Sequence, residues 1–120
     1  MKLPTLYTGA DGLSHFGEEE LPDSPTMDAN TPLQRVKGIF VRSTSGERSI
    51  DWHTAPRRQL VIPLKGTMEI ECSDGQTRSF GPGEVFLAGD TSGKGHTTKS
   101  AGGKDRETLF IVLEDSTPPR

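Results

Sequence analysis

Short apolar runs separated by turn signals recur from Gln34 to the end of the chain, and this pattern restricts the fold to an all-β one. Glycine pairs, an Asp-Gly step and a Gly-Pro-Gly step divide the runs, and no run has the period of an amphipathic helix. Short strands at this spacing predict a β-sandwich or a small barrel. The expected strands are Arg35–Ser43, Ser49–His53, Gln59–Leu64, Thr67–Cys72, Thr77–Phe80, Glu84–Leu87, His96–Lys99 and Thr108–Glu114.

Alternation inside the runs predicts which side chains enter the core. Met68, Ile70 and Cys72 share one face of their strand, whereas threonine and glutamate occupy the other face. The Asp74-Gly75 step that follows predicts a hairpin with a type I′ turn, because that turn needs positive φ at both central residues.

The last strand is apolar on both of its faces, unlike the others. Two sets of side chains alternate there, namely Leu109, Ile111 and Leu113 against Phe110 and Val112. We expect both faces to be covered, either by the N-terminal segment or by a second subunit, which favours a homodimer. In an earlier strand Pro63 cannot donate a ladder hydrogen bond, so it predicts a sheet edge or a bulge.

The chain divides into an N-terminal arm over residues 1–33, a barrel over residues 34–115 and a tail over residues 116–120. The arm is acidic, because residues 1–30 carry six acids and one lysine. A short strand is expected at Leu6–Thr8, and three prolines predict irregular structure over residues 11–33. Apolar side chains of the arm are expected to pack on the barrel: Leu13, Phe16 and Leu21.

Composition excludes several classes of function. A net charge of −3 gives no basic surface for nucleic acid, and no apolar run approaches the roughly 20 residues that cross a membrane. The first residues lack the apolar stretch of a signal peptide. Because Cys72 is the single cysteine, no intrachain disulfide can form, and a reducing cytoplasm is the expected location.

Two histidines, His53 and His96, lie in segments that resemble the paired motifs of the cupin family. The first motif is G-x5-H-x-H-x3,4-E-x6-G, and Gly66 anchors it. His53 then takes the first histidine position, while Ala55 replaces the second histidine and Gln59 replaces the glutamate. The leading glycine is one residue out of register, at Gly46.

The second cupin motif is G-x5-P-x-G-x2-H-x3-N. Gly93 and His96 have its spacing, whereas Thr91 replaces the proline and Ser100 replaces the asparagine. The likeness extends over about Arg35 to Leu113. It implies a cupin-type double-stranded β-helix, or jelly-roll barrel, in which strands direct these side chains into one barrel mouth.

The resemblance leaves the chemistry open between two functions. The first is a small-molecule pocket without a metal, lined by Gln59, Val61, Met68 and Phe86. The second is a divalent-metal-dependent cupin enzyme of the dioxygenase, isomerase, lyase or cyclase type. It would use His53 and His96, with Gln59 as a neutral third ligand, to hold iron, manganese, zinc or nickel. His53 and His96 are also the candidate acid–base groups. A structural protein with a filled barrel is a third hypothesis.

Other residues have weaker claims on function. His15 is either a surface residue or a group recruited to the site from the arm, and Trp52 should face outward if His53 faces inward. The pair Arg57-Arg58 is either solvated or salt-bridged, or it is an anion site at the rim. Cys72 is expected in the core. The run at residues 89–96 lacks the spacing of a phosphate-binding loop.

Overall fold

The structure is a computed structural model that describes residues 1–21 and 33–114. In those ranges it consists of ten strands and one 3₁₀ turn at Ala101–Gly103. The strands are β1 (Lys2–Thr8), β2 (Ser14–Glu20), β3 (Val36–Thr44), β4 (Ser49–His53), β5 (Gln59–Lys65), β6 (Met68–Cys72), β7 (Thr77–Phe80), β8 (Phe86–Ala88), β9 (His96–Ser100) and β10 (Arg106–Leu113). The all-β prediction is confirmed. Each strand expected from Gln34 onward has both ends within two residues of those observed, whereas the strand expected at Leu6–Thr8 begins four residues earlier, at Lys2. No helix in the described ranges is long and apolar enough to cross a membrane.

The strands form two sheets. Sheet A has the order β2-β1-β8-β5-β10-β3, and sheet B has the order β4-β9-β6-β7. Neighbouring strands are antiparallel except for β1 and β8, which run parallel. β3 and β4 are consecutive in the chain and stand at the edges of the two sheets, so these two edges are joined by one turn.

The core lies between the sheets and follows the predicted alternation. The predicted inward face of β6 is confirmed, since Met68, Ile70 and Cys72 are all buried. Phe80 and Phe86 are also buried, with ring centroids 4.3 Å apart. Burying an aliphatic or phenyl side chain of this size stabilises the fold by about 1.5–3 kcal/mol.

Two backbone features of the hairpins differ in detail from the expectations. The Asp74-Gly75 hairpin between β6 and β7 is confirmed, but the turn is not type I′. Gly75 has φ of 94°, whereas Asp74 has a negative φ, because only glycines have positive φ among the described residues.

Pro63 lies at a bulge. The register of β5 on β10 shifts between Glu107 and Thr108, opposite Pro63, which confirms the predicted bulge. The alternative of a sheet edge is wrong, because β5 is an interior strand.

The N-terminal arm is more regular than expected. The prediction of irregular structure is wrong for Ser14–Glu20, which forms β2 and pairs with β1 along its length. The three prolines behind that prediction all lie at residues 22–32, outside the described residues, as does the tail at residues 116–120. The division of the chain at residues 33 and 115 stays a prediction.

The arm closes one side of the sandwich. Ser14 Oγ donates a hydrogen bond to the Gly95 carbonyl at 2.6 Å, and the backbone N–H of Ser73 donates to Ser14 Oγ at 2.9 Å. Phe16 packs on the core, and the Arg78 guanidinium lies 5.7 Å from its ring centroid. These contacts join β2, one edge of sheet A, to sheet B. The other edges of the two sheets are β3 and β4, and among the described residues no comparable contacts join them.

The cover of β10 is uneven. Leu113 packs with Leu3 and Leu87, so the arm covers that end of the outer face. Further along, Leu109 and Ile111 are half-buried, and their partners on β3 are Val41 (60% exposed) and Ile39 (67% exposed). The described part of the arm, residues 1–21, therefore leaves part of the outer face of sheet A uncovered.

Candidate functional site

A cavity of about 310 Å³ lies between the sheets and opens at the β3 and β4 edges. Its apolar wall consists of Phe40, Ile50, Ala55, Pro56, Val61, Met68, Ile70, Phe86, Ala88 and Phe110. Its polar groups are His53, Gln59, His96, Arg42, Arg48, Arg106 and three threonines, Thr44, Thr98 and Thr108. No carboxylate is among these lining residues. Every side chain predicted for the site lies on this cavity.

The predicted histidines meet at one end of the cavity. His53 on β4 pairs with His96 on β9, and their ring centroids are 4.4 Å apart. Gln59 enters the same space from β5, opposite Ala88 on β8. The structure thus brings together His53, Gln59 and His96, although their strands belong to different sheets. Whether they bind a metal or a ligand stays a prediction.

Each imidazole is oriented by the protein through Nδ1. The Nδ1 of His96 lies 2.5 Å from Asp90 Oδ2, and the Asp90 side chain is fully buried. The backbone N–H of Ala55 donates to the carbonyl of Asp90 at 3.0 Å, which fixes the loop that holds the carboxylate. The Nδ1 of His53 lies 2.8 Å from the carbonyl oxygen of Asp51 and donates to it. In both rings Nε2 is therefore the nitrogen left for a ligand.

Burial affects the protonation of His53. Desolvation lowers the pKa of this imidazole, and the nearby His96 lowers it further, although the hydrogen bond to Asp51 acts in the opposite direction. His53 is consequently neutral at pH 7, which is the state that binds a metal or accepts a hydrogen bond.

The donors fit an incomplete metal site. Gln59 lines the cavity, and its Oε1 is buried without a hydrogen-bond partner in the described chain, so this oxygen is an unused acceptor. Together with two imidazoles it offers three donor groups, and hydrogen-bond partners on both imidazoles are typical of metal ligands. However, no group of three His, Cys, Asp or Glu residues in the described ranges is placed to hold a metal.

The opposite end of the cavity carries arginines that the sequence reasoning did not single out. Arg106 is 3% exposed, and its Nε donates to Ser100 Oγ at 2.6 Å. Its Nη2 is buried without a hydrogen-bond partner among the described residues. Burial lowers the pKa of Arg106, and the positive charge of Arg42 lowers it further. The alternation of Arg106 with Thr108 and Phe110 was the signal available in the sequence.

His15 is not recruited to the cavity. Its Nε2 and Nδ1 lie 3.0 Å from the carboxylates of Asp11 and Asp74, and its ring stacks on Tyr7. Hydrogen bonding to Asp11 raises the pKa of His15. The surface interpretation of His15 is the one that the structure supports.

The remaining candidates also lie away from the cavity. Trp52 is exposed on the outer side of β4, where Lys94 Nζ lies 5.3 Å from its ring centroid. Arg58 donates to Glu19 at 2.9 Å, and Arg57 is exposed and does not line the cavity. Cys72 is buried, and burial raises the pKa of its thiol to about 11, so it is a core residue.

Comparisons with known proteins identify the fold. No protein-family model matches the chain, and no curated protein matches its sequence. A conserved Streptococcus pyogenes protein of unknown function superposes with a TM-score of 0.53 at 21% identity, covering 72% of each chain. A cupin 2 conserved barrel domain protein from Leptotrichia buccalis superposes with a TM-score of 0.51 at 24% identity, over 63% of this chain and 35% of that one.

A third solved structure extends the likeness over more of the fold. An uncharacterised conserved Klebsiella pneumoniae protein with a double-stranded β-helix domain gives a TM-score of 0.51 at 15% identity, covering 78% of this chain and 85% of the other. The chain spans about a third of the Leptotrichia protein, which is longer. Two sheets with this strand order and these neighbours give one conclusion, which agrees with the motif spacing: the chain has the cupin-type double-stranded β-helix fold.

Proposed function

We propose that the chain binds a small molecule in the cavity between its two sheets. The observation that carries this proposal is the cavity itself, about 310 Å³ and lined by ten apolar and nine polar side chains. Ligand sites in small proteins have this size and composition. Gln59, Val61, Met68 and Phe86 are the residues proposed to contact the ligand, with His53 and His96 at one end of it.

An NMR titration tests this proposal. Backbone amide spectra of the full chain are recorded with a neutral probe, 4-phenylbutyramide, which has an apolar body of suitable size. We expect saturable chemical-shift changes in the backbone amide signals of Gln59, Thr98 and Phe110. The variant Ala55→Phe should abolish them, since Ala55 is 4% exposed and lines the cavity, whereas Trp52→Phe on the outer side should not.

Two outcomes would contradict the proposal. One is the absence of saturable shifts at all cavity residues. The other is the same shifts in folded Ala55→Phe as in the wild-type protein, because a filled cavity cannot accept the probe.

The orientation of the imidazoles favours a second candidate, a divalent-metal-dependent enzyme of the cupin type. His53 and His96 each have a partner on Nδ1, and Gln59, whose Oε1 has no partner in the described chain, lines the same cavity. A metal bound there would act as a Lewis acid on a substrate oxygen. The chain's own contribution would be to hold the two imidazoles through their Nδ1 atoms, which leaves Nε2 for the metal, and to exclude water through the apolar wall.

Metal content separates the two candidates. Protein purified without a histidine tag is reconstituted with iron, manganese, zinc or nickel and compared with His53→Ala by elemental analysis. Stoichiometric metal in the wild-type protein that is lost in the variant supports the metalloenzyme. Absence of bound metal with all four ions contradicts it and leaves the metal-free pocket. His15→Ala is the control, because His15 lies outside the cavity.

We also propose a homodimer and a cytoplasmic location. The uncovered apolar part of sheet A supports the first proposal, and a single buried cysteine without a disulfide supports the second.

A further inference from the structure

We propose that the ligand of the cavity is an organic carboxylate, and that its carboxylate is bound by the guanidinium of Arg106, with Arg42 contributing a second positive charge. This inference deepens the proposed function and depends on it. It concerns the end of the cavity away from His53 and His96.

Arg106 is a buried side chain with one donor nitrogen that has no acceptor in the described chain. The side chain is 3% exposed, and Ser100 Oγ accepts one of its hydrogen bonds. Its Nη2 is buried without a partner in the described chain, and Arg106 is one of the residues that line the cavity. Buried polar groups in folded proteins are nearly always hydrogen-bonded, and a buried charge is costly unless it is paired. An acceptor on a bound molecule would complete this group.

The local charges favour an anion. Arg106 lies opposite Thr44, and Arg42 lies opposite Thr108, so the two arginines are diagonal neighbours on one face of the β3–β10 pair. Long side chains at diagonal positions interact across a sheet. Arg48 lines the same cavity. The lining contains three guanidinium groups and no Asp or Glu, so no described lining residue neutralises them.

The shape of the cavity specifies the rest of the ligand. Between the arginines and the imidazoles the wall is mostly apolar and includes Thr98; the rings of Phe40 and Phe110 stack beside Val61, with their centroids 4.6 Å apart. His96 and Ser100 are four residues apart on β9, a span of about 13 Å at the rise of a strand. A carboxylate with an apolar body of several carbon atoms or one ring fits these limits. Two planar guanidinium groups match the flat, two-oxygen edge of a carboxylate.

A matched pair of probes isolates the charge. Calorimetric titrations of the full chain use 4-phenylbutyrate and 4-phenylbutyramide, which differ only in the head group. We expect the wild-type protein to bind the acid at least about tenfold more tightly than the amide, because hydrogen bonds to a charged partner are stronger than neutral ones. Inorganic phosphate is the third probe and is expected to bind more weakly than the acid.

Variants assign that preference to residues. Arg106→Gln should reduce the ratio of the two dissociation constants to about one, with little change in the amide's affinity. Arg42→Gln should lower the ratio by about threefold or more. Because Arg106 is buried, its variant can fail to fold, and the exposed Arg42 then provides the test together with Arg106→Lys, which keeps the charge. Arg57→Gln, an exposed arginine outside the cavity, is the charge-matched control.

The outcomes separate this inference from the proposed function. If the amide binds in the cavity and the acid binds no more tightly, the inference that the ligand is a carboxylate is wrong, while the proposed small-molecule pocket remains supported. An equal loss of preference in Arg57→Gln contradicts the assignment to Arg106 and Arg42, because it reports only net charge. Phosphate binding as tight as that of the acid contradicts the requirement for an apolar body. If neither phenyl probe shifts the cavity amides, the proposed function itself fails.

Discussion

At the scale of residues, the spacing of the motifs predicted which side chains meet but not what supports them. His53, Gln59 and His96 share the cavity as their motif positions imply. Asp90 and Arg106 could not be identified in the same way. Charged residues such as Asp90 and Arg106 are expected at the surface from sequence alone, because only the folded loop after β8 and the register of β10 show that they are buried.

The pair of Asp90 and His96 gives the first prediction. Asp90→Ala should lower the free energy of unfolding by about 2–3 kcal/mol, because it removes a buried hydrogen-bonding partner and leaves Nδ1 of His96 without one. Urea denaturation measures the loss. Glu47→Ala, at an exposed turn position, should change stability by less than about 0.5 kcal/mol. Equal stability of the two variants would show that the buried pair does not support the fold.

The second prediction concerns pH and His15. The folded protein raises the pKa of His15 above its ordinary 6.5, through Asp11 and then Asp74. A raised pKa means that protonated His15 stabilises the folded state; that stabilisation is complete below about pH 6.5 and is lost as the pH rises through the folded-state pKa. The stability difference between wild-type protein and His15→Asn should therefore be larger at pH 5.5 than at pH 8.5.

Two measurements check the His15 prediction. Urea denaturation at both pH values gives the stability difference, and NMR titration of the imidazole gives its pKa directly. An imidazole that titrates below 6.5, or a stability difference that grows with pH, would contradict the electrostatic account of this cluster.

At the scale of elements, alternation located the strands of the barrel because each buries one face. Alternation did not predict β2, because three successive glutamates and Gly17 interrupt the apolar–polar pattern. This segment is a strand because it pairs with β1 along its length. The turn at Gly75 also differed, because Asp74 keeps a negative φ and a single glycine with positive φ is sufficient for a three-residue loop.

Two glycines provide a matched test of how the loops hold the site. Gly95 has φ of 77°, and a Cβ there would lie 2.0 Å from the carbonyl oxygen of His53; Gly75 has φ of 94° and open space around it. Gly75→Ala should cost about 1 kcal/mol, from its backbone conformation alone. Gly95→Ala should cost about 3 kcal/mol, because β4 must also move. Thermal denaturation compares them, and equal losses would show that the contact with His53 is not restrictive.

At the scale of the whole molecule, the two ends of the sandwich have different roles. The arm closes the side formed by β2, β6 and β7, while the edges of β3 and β4 stay open and expose the cavity. On the outer face of sheet A, apolar side chains of β3, β10 and β5 form one continuous surface by register: Ile39, Val41, Leu109, Ile111, Leu60, Ile62 and Leu64. A face of this kind on a small domain is typical of an interface.

The predicted homodimer can be tested on this face. Val41→Lys should convert the protein to a monomer, because it places a charge within the apolar surface at a position 60% exposed in the single chain. Sedimentation velocity measures the mass in solution. Thr77→Lys, exposed on sheet B, is the control and should leave the dimer intact. A monomeric wild-type protein would show that a second copy does not cover the surface.

The binding cavity is the central claim, and a structure of the chain determined with 4-phenylbutyrate tests it most directly. The account predicts the phenyl group between the sheets beside Phe40, Phe110 and Val61, with a carboxylate oxygen within hydrogen-bonding distance of Arg106 Nη2. A probe bound only on the outer face of sheet A, with Arg106 Nη2 still unpartnered, would contradict it.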